Sequence, residues 1–197
     1  MARKVIKKEK VPLIVICSEG NKKSAEIAYF ANFRSRNLRI KFADGEETDP
    51  QGMLEKLLRY LDKIDAKNED DIHVYLVLDT DLNKNRINDI KAIKEKCEKN
   101  NIKIITSAPT FEIWFLFHER RNNLTFTSSA EVKRETKKVF KDYKEGINIF
   151  NIIKDRTDIA IENAKFVEKN SMYEDIEINP HSKVYEIIED IYLLNGS

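Results

Sequence analysis

The stretch Ile72-His-Val-Tyr-Leu-Val-Leu78-Asp79-Thr80-Asp81 decides the fold. It is an almost continuous apolar run, short and rich in β-branched and aromatic residues. It lacks the alternation of a strand that is wet on one face, so it reads as a strand covered on both sides, as in a parallel sheet. It stops on two carboxylates. Upstream, Pro12-Leu-Ile-Val-Ile-Cys17 has the same character and stops at Ser18-Glu19-Gly20. Between the two lie a short helix from Ser24 to about Phe33, an alternating edge strand Leu38–Phe42, and a helix that starts at Thr48-Asp49-Pro50 with Pro in its first turn. Downstream come a helix carrying Ile87, Ile90, Ile93 and Cys97 on one face, a strand Ile102–Thr106, a break at Ser107-Ala-Pro109, and an apolar helix Phe111–His118 opened by Thr110.

Residues 1–119 therefore read β-α-β-α-β-α-β-α, which predicts a mostly parallel four-stranded sheet with helices on both faces. After that the strand signals end. Ser128-x-x-Glu131 is a capping box for a helix with Val132, Thr136, Val139, Phe140 and Tyr143 inward, closed by Gly146. Further helices are expected over about 157–169 and 182–194. Residues 120–197 thus form a helical extension packed on the core.

Composition limits the function. There are 35 Lys and Arg against 34 Asp and Glu, a formal charge of +1, with 41% hydrophobic and 35% charged residues. That mix is too apolar for disorder and too polar for a membrane protein, and no apolar run approaches the ~18 residues of a membrane span. Near-neutrality excludes a strongly basic, non-specific nucleic-acid coat but not a local basic patch. The start from Met1 to Lys10 is basic without the apolar stretch of a secretory signal, so a cytoplasmic protein is expected. Cys17 and Cys97 have no C-x-x-C spacing and read as buried thiols.

In open α/β sheets ligands bind beyond the carboxyl ends of the strands. Three of the four strands deliver acids there: Glu19, then Asp79 and Asp81, then Glu112 on the first turn of the following helix. Converging carboxylates repel, and a bound divalent cation is the simplest compensation. In a strand continuing through Asp81, residues i and i+2 share a face, so both carboxylates can address one ion. Oxygen ligands favour Mg²⁺ or Mn²⁺ over zinc, and such an ion suits phosphoryl or phosphodiester chemistry. The plain alternative is that each acid caps a helix or stays solvated. Gly20-Asn-Lys-Lys-Ser24 lacks the first glycine of a P-loop. A response-regulator receiver would have the acid pair after the first strand and a single Asp after the third, the reverse of this order.

These residues suggest a family. Glu-Gly after the first strand and Asp-x-Asp after the third resemble the Toprim catalytic domain of topoisomerases, primases and OLD-type nucleases. Ser18-Glu19-Gly20, Glu26-Ile-Ala-Tyr29-Phe30, Leu78-Asp79-Thr80-Asp81, Ser107-Ala-Pro109-Thr-Phe111-Glu112-Ile-Trp114-Phe-Leu-Phe-His118 and Asn179-Pro180-His-Ser182-Lys-Val184 together resemble the RloB family. Departures are two extra residues between Gly20 and Glu26, and Ala108 where the family usually has Asn. The resemblance implies a Toprim-type, Mg²⁺-dependent, nuclease-like subunit of prokaryotic phage defence or abortive infection, commonly encoded beside an AAA-type ATPase. It implies Glu19 as general acid/base, Asp79 and Asp81 as metal ligands, and Glu112 as a further ligand or a residue that orients one. Glu19 is counted with the metal set as well.

Lys22 and Lys23 beside Glu19, and Lys183 in the Asn179–Lys183 helix start, are candidate phosphate contacts; capping by Ser182 is the plain reading of the last. His118 lies six positions from Glu112, roughly 240° around a helix, so a buried structural role competes with a site role. Arg134, Lys137, Lys138, Lys141 and Lys144 form a basic helix face, either solvated or tracking phosphates. The leading expectation is a metal-dependent nuclease subunit acting on DNA or RNA. The alternative is a non-catalytic metal- or nucleic-acid-binding subunit that works only with an ATPase.

Overall fold

Leu13–Cys17 (β1) is buried along its whole length because helices cover both sides of the sheet it belongs to. The computed structural model describes residues 11–19, 24–43, 45, 47–121, 125–141, 143–144, 148–171 and 175–196. Within these, β1 is followed by Ala25–Phe30 (α1), Arg39–Phe42 (β2), Pro50–Lys63 (α2), Ile72–Asp79 (β3), Lys84–Lys99 (α3), Ile102–Ala108 (β4) and Glu112–Phe117 (α4). The extension supplies Ser129–Val139 (α5), Phe150–Ile153 (α6), Thr157–Lys169 (α7), His181–Ser182 (β5) and Val184–Asn195 (α8). The order across the sheet is β2-β1-β3-β4-β5, with the first four strands parallel.

The sheet has five strands, not the expected four. The Asn179–Ser182 stretch does not open a helix. Its last two residues, His181 and Ser182, lie antiparallel on the edge of β4, pairing Ser107 with Ser182 and Ala108 with His181. Side chains fix the register: His181 Nε2 meets Thr106 Oγ1 at 2.8 Å, and the hydroxyls of Ser107 and Ser182 meet at 3.0 Å. Pairing these polar groups inside the protein removes the cost of burying them. The final helix consequently starts at Val184, with Ser182 Oγ accepting from Val184 N at 3.4 Å.

Alternation along the strands sorts two apolar clusters. Leu13, Val15, Cys17, Val74, Leu76, Leu78 and Ile102 face α2 and α3. Ile14, Ile16, Tyr75, Val77 and Ile105 face the other way, onto α1, α4 and the extension. Fully burying a side chain of this size stabilises the fold by roughly 1.5–3 kcal/mol. Both thiols are buried, and desolvation pushes Cys17 and Cys97 up to about 11, so they stay protonated. The α2 start is as read, with Asp49 accepting from Gly52 N at 2.7 Å and Pro50 in the first turn. Ser128 caps α5 as read, its Oγ accepting from Glu131 N, while the Glu131 carboxylate reaches one residue past the cap and accepts from Thr127 N. The expected stop at Gly146 lies outside the described residues.

Val132, Ile153, Ala160, Val184 and Ile188 of the extension share one cluster with the sheet. A fragment ending at residue 119 would expose that whole face and lose β5. It should show no cooperative thermal transition by circular dichroism; a sharp transition would mean that the α/β part folds alone.

Candidate functional site

β3 ends at Asp79, and the chain then turns. Thr80 N and Asp81 N still bond to Ser107 O and Pro109 O, both at 2.9 Å, while Asn83 N donates to Thr80 O at 3.0 Å. The two central residues of that turn, Asp81 and Leu82, have φ of 49° and 54°, the left-handed pattern of a primed turn. Asp tolerates this region; a leucine there is uncommon and stores about 1–3 kcal/mol of strain. The strand does not continue through Asp81, so the i, i+2 argument fails. Asp79 stays at the strand end, while Asp81 accepts from Ser129 Oγ of α5 at 2.7 Å and keeps a side chain that is 48% exposed.

Glu19 follows β1 and turns towards β3. Its Oε1 accepts from Asp79 N at 3.1 Å and from Arg86 Nη2. Arg86 sits in the first turn of α3, which Asn83 caps. Its other donors go to backbone carbonyls, Nε to Asp79 O at 2.5 Å and Nη1 to Thr48 O at 2.9 Å, and Nε lies 3.7 Å from Asp81 Oδ2. One guanidinium therefore ties the ends of β1 and β3 to the loop before α2. A planar fork with five donors suits this multiple contact where an ammonium would not.

Glu112 is buried on α4, and the segment before it does not use Thr110 as a helix cap. Thr110 Oγ1 lies 2.8 Å from Asp79 Oδ2 and 2.8 Å from Glu112 Oε2. The second oxygen, Oε1, accepts from Tyr143 OH at 2.7 Å. A threonine hydroxyl has one proton. It cannot donate to two carboxylates at once, so the two compete for it. Burial, then the charges of Glu26, Glu19 and Glu112, push Asp79 well above the usual carboxylate range. Glu26 on α1 is only 8% exposed. Burial, opposed by a hydrogen bond from Ser24 and reinforced by Glu112 and Glu19, raises it to about 7. Burial also raises Glu19, against the pull of Arg86.

The structure thus brings Glu19, Glu26, Asp79 and Glu112 into mutual electrostatic contact and leaves Asp81 at the rim. Glu26, Arg86, Thr110 and Tyr143 escaped the reading of the sequence as site residues. Glu26 stands at a position inside the buried face of α1. Thr110 reads as a helix opener and Tyr143 as core. Arg86 had a signal, a cation in the first turn after Asp-x-Asp. Lys22 and Lys23 lie outside the described residues. Lys183 pairs with Glu168 at 3.4 Å and lines a groove of about 930 Å³ between α3 and β4, whose lining includes none of the carboxylates of the group. His118 does not join the group either. It is buried beside Trp114, their rings 5.0 Å apart, and donates from Nδ1 to Trp114 O at 2.9 Å. Burial lowers it to about 4, so it is neutral.

Among the described residues, no three His, Cys, Asp or Glu side chains are already gathered closely enough to hold an ion. The donor set nevertheless fits a hard cation in one respect. Asp79 Oδ1 and Ser18 Oγ, at the ends of adjacent strands, are buried without a hydrogen-bond partner among the described residues. An orphaned carboxylate oxygen beside three further acids is the environment that an oxygen-seeking cation satisfies.

Fold and site together define an α/β protein with a guarded group of acids at the carboxyl end of a parallel sheet. The family model for RloB-like proteins matches residues 14–191, and the chain belongs to that family. No curated protein and no solved structure matches it.

In the folded chain Glu26 keeps its proton up to about pH 7, against an ordinary value of 4.5. Between those values folding takes up a proton, so stability falls as pH rises. His118 acts with the opposite sign, losing stability as pH falls from 6.5 to about 4, so variants must be compared at matched pH. In chelator, Glu26→Gln should stabilise the protein relative to wild type at pH 8, by an amount on the order of 3 kcal/mol, and much less at pH 5. Calorimetric melts across that range test this; a difference independent of pH would mean that Glu26 is ionised throughout.

Proposed function

We propose that this chain is a Toprim-type, divalent-cation-dependent phosphodiester hydrolase acting on nucleic acid. The observation that supports it best is Asp79 Oδ1, a buried acceptor without a partner among the described residues at the end of the central strand, flanked by Glu19, Glu26 and Glu112. Asp79, Glu19 and Asp81 are the residues that would hold Mg²⁺ or Mn²⁺, with Glu112 held behind Asp79 through Thr110. The ion, when bound, neutralises phosphate charge and acidifies water.

Glu19 is the general acid/base in this reading. Its Oε1 is engaged by Arg86 and by Asp79 N, so the proton is exchanged at Oε2. Burial lifts its pKa, which brings proton transfer closer to neutral pH. Water adds to phosphorus as the ester P–O bond breaks, and the proton lost by the water is matched by the one gained by the leaving oxygen. The resemblance extends the proposal to prokaryotic defence against phage, a cytoplasmic setting and an AAA-type ATPase partner. No helix among the described residues is long and apolar enough to cross a membrane.

Arg86 favours a second reading. A guanidinium already lies on Glu19 and near Asp81, so the acids act only after a partner ATPase rearranges them, and the isolated chain is a binding subunit.

The purified chain should melt at higher temperature with Mn²⁺, by the linkage of binding to folding, and cleave single- or double-stranded DNA or RNA. Asp79→Asn should remove both effects. Glu19→Gln should lower cleavage by about 100-fold or more. Mn²⁺ binding without cleavage, restored by the ATPase, would select the second reading. Absence of any Mn²⁺ effect would sink both.

A further inference from the structure

Glu112 is held from two sides. From its own segment Thr110 Oγ1 meets Oε2, and from the helical extension Tyr143 OH donates to Oε1. We propose that Tyr143 is a positioning residue that frees the single proton of Thr110 for Asp79 and so keeps Asp79 Oδ1 aimed as a cation ligand; this deepens the reading of the acid group as a cation site and rests on it.

The argument is a count of donors. Thr110 has one hydroxyl proton and two carboxyl oxygens at 2.8 Å. Glu112 is 3% exposed, so it needs a donor from the protein. Without Tyr143, Thr110 would be the donor at hand, and Asp79 Oδ2 would lose its fixed hydrogen bond. With Tyr143 at 2.7 Å, Glu112 is supplied from elsewhere and Thr110 serves Asp79. The tyrosine is itself fixed: it is 2% exposed, its ring lies 6.0 Å from that of Phe115 at 66°, and its backbone N donates to Phe140 O at 2.8 Å. The chain Tyr143–Glu112–Thr110–Asp79 therefore runs from the extension to the end of the central strand. Groups that orient ligands in this way typically change cation affinity by 10–100-fold when removed.

Tyr143→Phe keeps the ring and deletes the donor. In the full chain, titration calorimetry should show Mn²⁺ affinity weakened by about 10-fold or more. Thr110→Val should weaken it similarly, and Thr110→Ser should retain it. The double variant Tyr143→Phe, Thr110→Val should be no weaker than Thr110→Val alone, because both act on one chain of bonds. A hydrogen bond that only supports the fold would lower the melting temperature in chelator and leave Mn²⁺ affinity unchanged, and that result, or additive losses in the double variant, overturns the proposal. Should Tyr143→Phe fail to fold, equal affinity in Thr110→Val and wild type overturns it as well. If wild type binds no Mn²⁺, the underlying reading of the site falls and takes this one with it; if wild type binds and Tyr143→Phe binds as tightly, the positioning role alone is lost.

Discussion

Arg86 makes one contact on which the arrangement of the site depends, its ion pair with Glu19. At the carboxyl edge of the sheet, Asp79, Glu26 and Glu112 are withdrawn from water, and the neighbouring acids raise the cost of ionising Asp79 and Glu26. Such a group is tolerable only with cations, donors or bound protons to offset it. Arg86 gives the rim its cation and spends its other donors on the backbone of Asp79 and Thr48. It thereby fixes three loops with respect to one another. Thr110 and Tyr143 do the same work deeper in, with neutral hydroxyls. Glu19 is thus engaged by a cation, and Glu112 by hydroxyl groups. A guanidinium is harder to bury than a hydroxyl.

Much of the fold was legible in the sequence because strand burial leaves a pattern that is local. Pro12–Cys17 and Ile72–Leu78 announce themselves by apolar continuity, and the Asp49-Pro50 start of α2 by capping chemistry. What failed was non-local. His181 and Ser182 form a strand only because Thr106 and Ser107, distant in the chain, offer matching polar groups. No window around residues 179–183 contains that information, so the helix signal of Asn-Pro-x-Ser dominated. The turn at Asp81 and Leu82 was hidden for a related reason. Nothing in Asp-Thr-Asp-Leu demands positive φ, and bonds to Ser107 of β4 and to Pro109 just after it accompany the turn.

The site was legible in its acids but not in what holds them. Glu19, Asp79 and Glu112 follow strands, and the rule that ligands sit beyond strand ends finds them. Glu26 stands on a helix among residues that pack inward, where a carboxylate reads as a solvent-facing position of an amphipathic pattern. Its burial becomes visible only once α1 is seen packed in the cluster on one face of the sheet, with Glu26 near Glu112 and Glu19. Tyr143 has the same problem in reverse: its ring is core, as read, and its hydroxyl is the part that matters.

The extension is often the dispensable half of such a description, but here it contributes to the site at separate points. Ser129 takes hold of Asp81, Tyr143 of Glu112, and β5 completes the edge of β4 from which Thr110 departs. Each contact engages a different acid or its support. The α/β part alone could bring four carboxyl groups to one edge, since their positions follow from strand order. It could not leave them in fixed orientations, because the hydroxyls that satisfy Asp81 and the far oxygen of Glu112 come from residues after 120. Orientation of the acids, rather than their proximity, is therefore what the second half of the chain supplies. Its helices are buried against the sheet for a reason beyond core packing, since Ser129 opens α5 and Tyr143 follows its end, and a shift of this segment would move donors at two acids together.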